Sequence, residues 1–162
     1  DFVQPERFDL EYTDSDGLKK RPVMIHKAIL GSIERFLSVY IEHTAGKFPF
    51  WLAPEQLRVI TLNQSDEIVK YAEDFVSRAQ SEGLRVKLDN DNESVGKKIR
   101  NAEIQKVPYI IVIGSKEVEN SMFAPRIRAD LQNSEEQVSV SADEFLSKLA
   151  EEYKARSNKT SL

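Results

Sequence analysis

The pattern of apolar and polar positions divides the chain near residue 50. Before that point, apolar residues recur at three- and four-residue spacing over 24–45, which predicts one helix that begins at Ala28 or a little before and has Gly46 as its C-terminal stop. From Leu57 onward, short β-branched runs alternate with helical stripes. An order of strand, helix, strand, helix and strand predicts parallel pairing through right-handed crossovers. We therefore expect two parts, residues 1–50 and 51–162, of which the second is a compact α/β domain.

The predicted elements of the second part are separated by glycine, proline and capping residues. In chain order they are a strand at 57–62, a helix from Ser65 to Gly83, strands at 84–88 and 109–114 around a helix at 93–106, a strand with its turn at 122–131, an edge strand at 137–140, and a last helix that Ser141 caps with Glu144. The late edge strand makes the sheet mixed. The tail beyond that helix is expected to fray.

The first part begins with a predicted hairpin. Residues 8–12 alternate apolar and acidic side chains, a turn cluster follows at 14–17, and 18–23 returns as the partner strand. An isolated hairpin is marginally stable in water. We therefore expect the hairpin and the helix after it to form the edge of a larger body.

Composition excludes several classes of protein. Hydrophobic residues make up 40% and charged residues 31% of the chain, which is typical of a globular protein rather than a disordered one. With no cysteine, the chain cannot form a disulfide framework or a cysteine-ligated zinc site. No apolar run approaches the roughly 18 residues that span a bilayer, so no membrane partner is expected. A net charge of −4 gives no global argument for nucleic acid, and any RNA-binding surface has to be a local patch.

A resemblance to a known family rests on the two segments that flank residue 40. HKAILGSIERF at 26–36 and AGKFPFWLAP at 45–54 resemble the end of the catalytic domain of threonyl-tRNA synthetases, which are class II enzymes, running into the anticodon-binding domain. GSIER corresponds to the third signature motif of that class, and the resemblance extends over about 2–154. It implies a class IIa anticodon-binding domain, with a mixed five-stranded sheet flanked by helices, after a hairpin-plus-helix remnant of the catalytic domain.

The resemblance assigns three residues of the first part to the chemistry of the complete enzyme. It implies that His26 is a zinc ligand, that Ser32 lies at the threonine pocket and that Arg35 contacts the phosphates of Mg-ATP. From the residues alone, His26 is as well explained as a buried core histidine, and Ser32 and Arg35 as surface residues of a helix. The other zinc ligands and the other two class II motifs do not occur in this sequence, so we expect no catalysis by this chain alone and no firmly bound cofactor.

A second set of residues matches the positions that read the anticodon in that family: Asn92, Arg100, Glu117 and Arg126. The alternative for each is structural: a helix cap, a helix-surface residue, a turn residue and an exposed strand residue, respectively. Unpaired anticodon bases expose their Watson–Crick edges to amide, carboxylate and guanidinium groups, which suits these residue types. The nearby basic residues that could contact phosphates are Lys97, Lys98, Lys106 and Arg128.

The resemblance implies a function for the longer protein, the attachment of threonine to its tRNA with ATP. That enzyme is expected to be a cytoplasmic homodimer, with a mitochondrial location left open, and this chain is expected mainly to recognise the anticodon of threonine tRNA. Two alternatives are a stand-alone tRNA- or RNA-binding module without catalysis and an α/β scaffold for protein contacts.

Overall fold

The computed structural model describes residues 1–132 and 138–162. It divides into two compact units, residues 1–40 and residues 41–162. In the part of the chain that is described, no helix is both long and apolar enough to cross a membrane.

The first unit contains the expected hairpin and a later helix start than expected. After a short helix α1, Val3–Arg7, strands β1, Tyr12–Thr13, and β2, Lys19–Lys20, pair in antiparallel register. The hairpin is confirmed, although its first strand begins at residue 12 rather than at residue 8. Helix α2 covers Ile33–Thr44, so the predicted helical start near Ala28 is wrong. Gly31 has a φ of +67°, which a right-handed helix cannot contain.

Within the described residues, the second unit is organised around a mixed sheet of four strands. Its order is β4, Val86–Asp89; β3, Leu57–Thr61; β5, Tyr109–Ile113; and β7, Arg126–Ile127. The central strand β3 is parallel to both of its neighbours, whereas β7 runs antiparallel to β5. All five residues of β3 are buried, as expected for a strand covered on both faces.

Helices cover the two faces of this sheet. Helix α3, Asp66–Ser81, and helix α6, Ala142–Ala155, pack through Phe75 and Phe145 against the face that carries Tyr109 and Ile111. Helix α4, Val95–Ile104, packs through Ala102 against the opposite face. Ser141 caps α6 as predicted, because its Oγ accepts a hydrogen bond from the Glu144 N–H at 3.2 Å.

The expected count of five sheet strands needs correction. The segment 122–131, predicted as one strand with its turn, forms two short strands, β6 at Met122–Phe123 and β7, on either side of Pro125. Strand β6 pairs with β8, Val140–Ser141, as a separate two-stranded ladder. The predicted edge strand at 137–140 thus coincides with β8 only at Val140, and its first residue lies outside the described residues. Pro125 has no N–H to donate, so a continuous ladder through it is disfavoured.

Two further features differ from the sequence prediction. Helix α5, Ser115–Asn120, was missed because a six-residue segment is too short to show a recurring helical pattern of apolar residues. The tail does not fray: Thr160 is 5% exposed and its Oγ1 lies 2.7 Å from the Tyr109 hydroxyl.

Candidate nucleic-acid interface

Asn92 lies at the carboxyl edge of the sheet. The carboxyl ends of the parallel strands β3, β4 and β5 meet at this edge, where α/β folds commonly bind ligands. Asn92 is exposed in the loop that leads from β4 into α4. Ser94 is the residue that precedes the first turn of α4, so the alternative role of Asn92 as the helix cap is wrong. The amide of Asn92 is therefore presented to solvent at the edge of the sheet.

Glu117 lies at the same edge, beyond the end of β5. Its Oε2 accepts a hydrogen bond from the Gly114 N–H at 2.9 Å, which closes the first turn of α5. A Cβ on Gly114 would lie 2.8 Å from Leu62 Cδ2 and 3.2 Å from Glu117 Oε2, so a side chain there would crowd the carboxylate. Glu117 thus has a capping function that the sequence reasoning missed. An acidic residue at the third position of a helix was the available signal.

Arg126 lies on the α4 face of the sheet. In the β5–β7 register it stands opposite Ile110, which packs under α4, and paired residues of an antiparallel ladder point to the same face. Arg126 and Glu103 of α4 line one cavity of about 280 Å³, together with the apolar Val107 and Ile110. Arg100 is exposed one turn before Glu103 on the same helix.

The structure therefore divides the predicted residues between two places. Asn92 lies in the loop before α4, Arg100 lies on α4, and Arg126 lies on β7. Glu117 belongs to α5, which contacts α3 on the other face of the sheet. No hydrogen bond joins any two of these four side chains within the ranges that the structure describes.

Two of the four basic residues that could contact phosphate have partners within the protein. Lys98 is 2% exposed, and its Nζ donates to main-chain oxygens at 3.2 and 3.3 Å. Arg128 donates to the carbonyl oxygens of Lys106 and Phe48, each at 2.7 Å, and pairs with Asp130. The side chains of Lys98 and Arg128 are thus engaged within the protein. Lys97 and Lys106 are exposed, although Lys97 also pairs with Glu93 on its own helix.

A buried ionic cluster holds the α4 face together and was not predicted. Arg58 of β3 is 2% exposed and binds the Glu55 carboxylate, Asp89 Oδ2 at 3.4 Å and Gln105 Oε1 at 2.7 Å. Hydrogen bonding to Glu55 raises the pKa of the Arg58 guanidinium above its ordinary value, so it stays charged. Gln105 follows the last residue of α4, so the cluster fixes the C-terminal end of that helix on the sheet.

In the first unit, the three residues assigned to the complete enzyme are exposed. His26 Nε2 lies 2.9 Å from Asp1 Oδ2, and the side chain of His26 is 56% exposed, so its interpretation as a core histidine is wrong. Ser32 Oγ accepts from the Arg35 N–H at 3.2 Å and so caps α2. Among the described residues, no group of three or more His, Cys, Asp or Glu side chains could hold a metal ion.

Comparison with known families identifies both segments of the chain. Residues 56–152 match the model described as "Anticodon binding domain", and residues 1–44 match the "tRNA synthetase class II core domain (G, H, P, S and T)". The α/β fold with a mixed sheet and polar side chains at its carboxyl edge is that of an anticodon-binding domain of class II synthetases. The chain belongs to the anticodon-binding domain family.

Individual relatives confirm the resemblance to threonyl-tRNA synthetases. The chain is 50% identical over 155 residues to the threonine–tRNA ligase of Citrifermentans bemidjiense, covering 96% of this chain and 23% of that protein. It is 46% identical over 156 residues to the corresponding ligase of Finegoldia magna, covering 96% and 24%, respectively. The chain thus spans about a quarter of the length of these curated relatives.

A solved structure resembles the chain over nearly its whole length. The crystal structure of the RNA binding domain of threonyl-tRNA synthetase from Cryptosporidium parvum Iowa II superposes with a TM-score of 0.78 at 35% identity. The superposition covers 93% of this chain and 37% of that one. A prolyl-tRNA synthetase from Cryptosporidium parvum, with a TM-score of 0.61 at 21% identity, shares the fold alone.

Proposed function

We propose that this chain is the C-terminal part of a threonine–tRNA ligase and that its main contribution is to recognise the anticodon of threonine tRNA. The membership of residues 56–152 in the anticodon-binding family supports the binding role. The identity to threonine–tRNA ligases supports threonine tRNA as the partner. We place the boundary between the catalytic remnant and the anticodon-binding domain at residues 50 and 51.

The observation that carries this proposal is the contrast among the arginines of the second unit. Arg58 and Arg128 are bound to carboxylates and carbonyl oxygens of the protein. Arg100 and Arg126 are exposed, and no ion pair or hydrogen bond occupies either guanidinium within the described part of the chain. A guanidinium without a protein partner is available to bind carbonyl oxygens of unpaired bases or phosphate oxygens.

The remaining two side chains suit the edges of unpaired bases. The Asn92 amide can both donate and accept, so it can pair with the Watson–Crick edge of a base. The Glu117 carboxylate can accept from the ring N–H and the exocyclic amine of a guanine. The hydrogen bond from Gly114 holds this carboxylate at the edge of the sheet and limits its rotamers. Of the basic residues considered for phosphate contacts, the exposed Lys97 and Lys106 would contact the phosphate backbone of the RNA.

The first unit is assigned to the chemistry of the longer enzyme. There, His26 would bind zinc, Ser32 would contact threonine and Arg35 would contact the phosphates of Mg-ATP, in an enzyme that acts as a homodimer. His26 offers a single imidazole, whereas a catalytic zinc site requires about three protein ligands. The present chain is therefore expected to bind tRNA without forming threonyl adenylate.

The test is a titration of the purified chain with two anticodon stem–loops that differ only in the anticodon. One carries the anticodon of threonine tRNA, and the other carries substituted anticodon bases on the same stem. We expect the threonine stem–loop to bind at least about tenfold more tightly, equivalent to about 1.4 kcal/mol. Equal affinity for both stem–loops, or no binding of either, would overturn the proposal.

A stand-alone RNA-binding module is the alternative. Such a module has no use for a segment that matches the class II core, as residues 1–44 do. The match therefore favours a piece of a synthetase.

A further inference from the structure

Lys98 is a buried lysine that bridges α4 to the carboxyl edge of the sheet. Its Nζ donates to the carbonyl oxygen of Thr61 at 3.2 Å and to that of Asp89 at 3.3 Å. These two residues are the last of β3 and of β4. One ammonium group therefore joins the helix to the ends of two parallel strands.

Filling the core with a buried ammonium costs free energy that apolar packing would not cost. A buried ammonium loses its hydration, and two carbonyl oxygens replace only part of it. On the same face of the sheet, Asp89 Oδ1 is buried and has no hydrogen-bond partner among the described residues. A methionine at position 98 would fill a similar volume without this desolvation. A polar cluster that apolar packing could replace is a candidate for a role in specificity.

The position of Lys98 relates it to two of the predicted RNA-contacting residues. Asn92 lies in the loop between Asp89 and α4, so this loop starts and ends beside the Lys98 bridge. Arg100 lies two residues further along α4, which is about 200° around a helix of 3.6 residues per turn. Lys98 therefore faces the sheet while Arg100 faces solvent.

We propose that Lys98 is a positioning residue for anticodon recognition. Its ammonium fixes the rotation and height of α4 on the sheet, and so places the Asn92 amide and the Arg100 guanidinium without touching RNA. The inference rests on the proposed function and adds a residue that acts through the RNA contacts of Asn92 and Arg100.

The first variant is Lys98→Met, which removes the charge and keeps the volume. We expect it to bind the threonine stem–loop about tenfold more weakly than the wild type and to lose the preference over the substituted stem–loop. In the free chain, the amides of 90–100 should exchange faster with solvent while those of α3 keep their rates. Lys98→Gln retains an amide NH2 that can donate to a carbonyl and is expected to show an intermediate preference, which provides a second, milder variant.

Tyr109→Phe is the matched control. It also removes one buried polar group, but on the opposite face of the sheet, where Tyr109 binds Glu152. We expect this variant to lose stability and to keep the wild-type preference between the two stem–loops. A general loss of stability would affect both variants alike, whereas loss of positioning affects only Lys98→Met.

Chemical rescue separates the ammonium from the rest of the side chain. The chain contains no cysteine, so Lys98→Cys creates a single thiol. Alkylation of that thiol with 2-bromoethylamine in denaturant, followed by refolding, restores an ammonium at nearly the length of lysine. Alkylation with 1-iodopropane gives a neutral adduct of the same length without an N–H donor, as the control. We expect the aminoethylated chain to regain the preference for the threonine stem–loop and the neutral adduct to lack it.

The outcomes distinguish this inference from the proposed function. If the wild type prefers the threonine stem–loop and Lys98→Met shows the same preference, the role of Lys98 is wrong and the proposed function stands. The role is also wrong if both alkylated chains regain the preference equally. If the wild type binds both stem–loops equally, the proposed function is wrong and this role of Lys98 falls with it.

Discussion

The Tyr109 hydroxyl donates a hydrogen bond to the Glu152 carboxylate, 2.7 Å away, inside the second unit. The same hydroxyl lies 2.7 Å from Thr160 Oγ1, and because it has a single proton, Thr160 is the donor in that second hydrogen bond. These contacts join β5, α6 and the tail. Thr160 of the tail is thus part of the folded core.

The first prediction concerns this cluster. Tyr109→Phe removes the donor to a carboxylate that is 3% exposed, so the free energy of unfolding should fall by about 1–3 kcal/mol. Tyr153→Phe on the same helix as Glu152 is the control, since within the described residues its hydroxyl makes no hydrogen bond. Urea denaturation measures both variants, and equal losses in the two would refute the role of the cluster.

The second prediction concerns pH. Burial raises the pKa of Glu152 above its ordinary value of 4.5, against the opposing effect of the Tyr109 hydrogen bond. The folded state therefore holds the proton more tightly than the unfolded state. The contribution of Glu152 to stability is full below about pH 4.5 and is lost as the pH rises through the folded-state pKa.

Glu152→Gln removes this titration. The difference in free energy of unfolding, wild type minus variant, should therefore decrease as the pH rises from about 4.5 until Glu152 is ionised in the folded state, and then level off. Denaturation at a series of pH values measures it. A difference that stays constant or grows with pH would contradict the raised pKa.

The third prediction separates the two functions of Glu117. Glu117→Gln keeps an oxygen that can accept from the Gly114 N–H, so stability should change by less than about 0.5 kcal/mol. The amide has only one acceptor oxygen for a guanine edge, so binding of the threonine stem–loop should weaken about tenfold. Glu117→Ala should lower both stability and binding. If Glu117→Gln binds RNA as well as the wild type, the carboxylate serves only as a cap.

The fourth prediction assigns RNA binding to the second unit. Arg126→Ala should weaken binding of threonine tRNA by about 1–3 kcal/mol, because a charged hydrogen-bond donor is lost. Arg35→Ala, an exposed arginine of the first unit, is the matched control and should bind tRNA as the wild type does. Equal effects of the two substitutions would refute the division of labour between the units.

The fifth prediction concerns catalysis. With threonine, ATP and magnesium, the isolated chain should support no exchange of pyrophosphate into ATP, because His26 is its only expected zinc ligand. Measurable exchange that disappears in Arg35→Ala would show that the chain is catalytic on its own.

Local sequence signals predicted the centre of the second unit well. Strands β3 and β5 coincide with the apolar runs at 57–62 and 109–114, and the capping pair of Ser141 and Glu144 marks the start of α6. These features depend on a few adjacent residues. The errors occur where a single residue interrupts a regular pattern: Gly31 delays α2 and Pro125 divides a predicted strand.

Features that depend on distant contacts were not predictable in this way. The burial of Thr160 in the tail depends on its contact with Tyr109, 51 positions away. Lys98 and Arg128 were taken as exposed because of their charge. For Lys98 a signal was present, because it shares the buried face of α4 with Val95 and Ala102 at helical spacing. The placement of the four predicted contact residues required the order of strands in the sheet.

The most direct test of the central claim is to map the bound RNA on the chain by NMR. Titration of the labelled protein with the threonine stem–loop should shift the backbone amides at Asn92, Arg100, Glu117 and Arg126 and in the loop before α4. Amides on the solvent face of α6, around Lys148 and Glu151, should not move. Shifts confined to α6, with those four positions unchanged, would contradict the proposed interface.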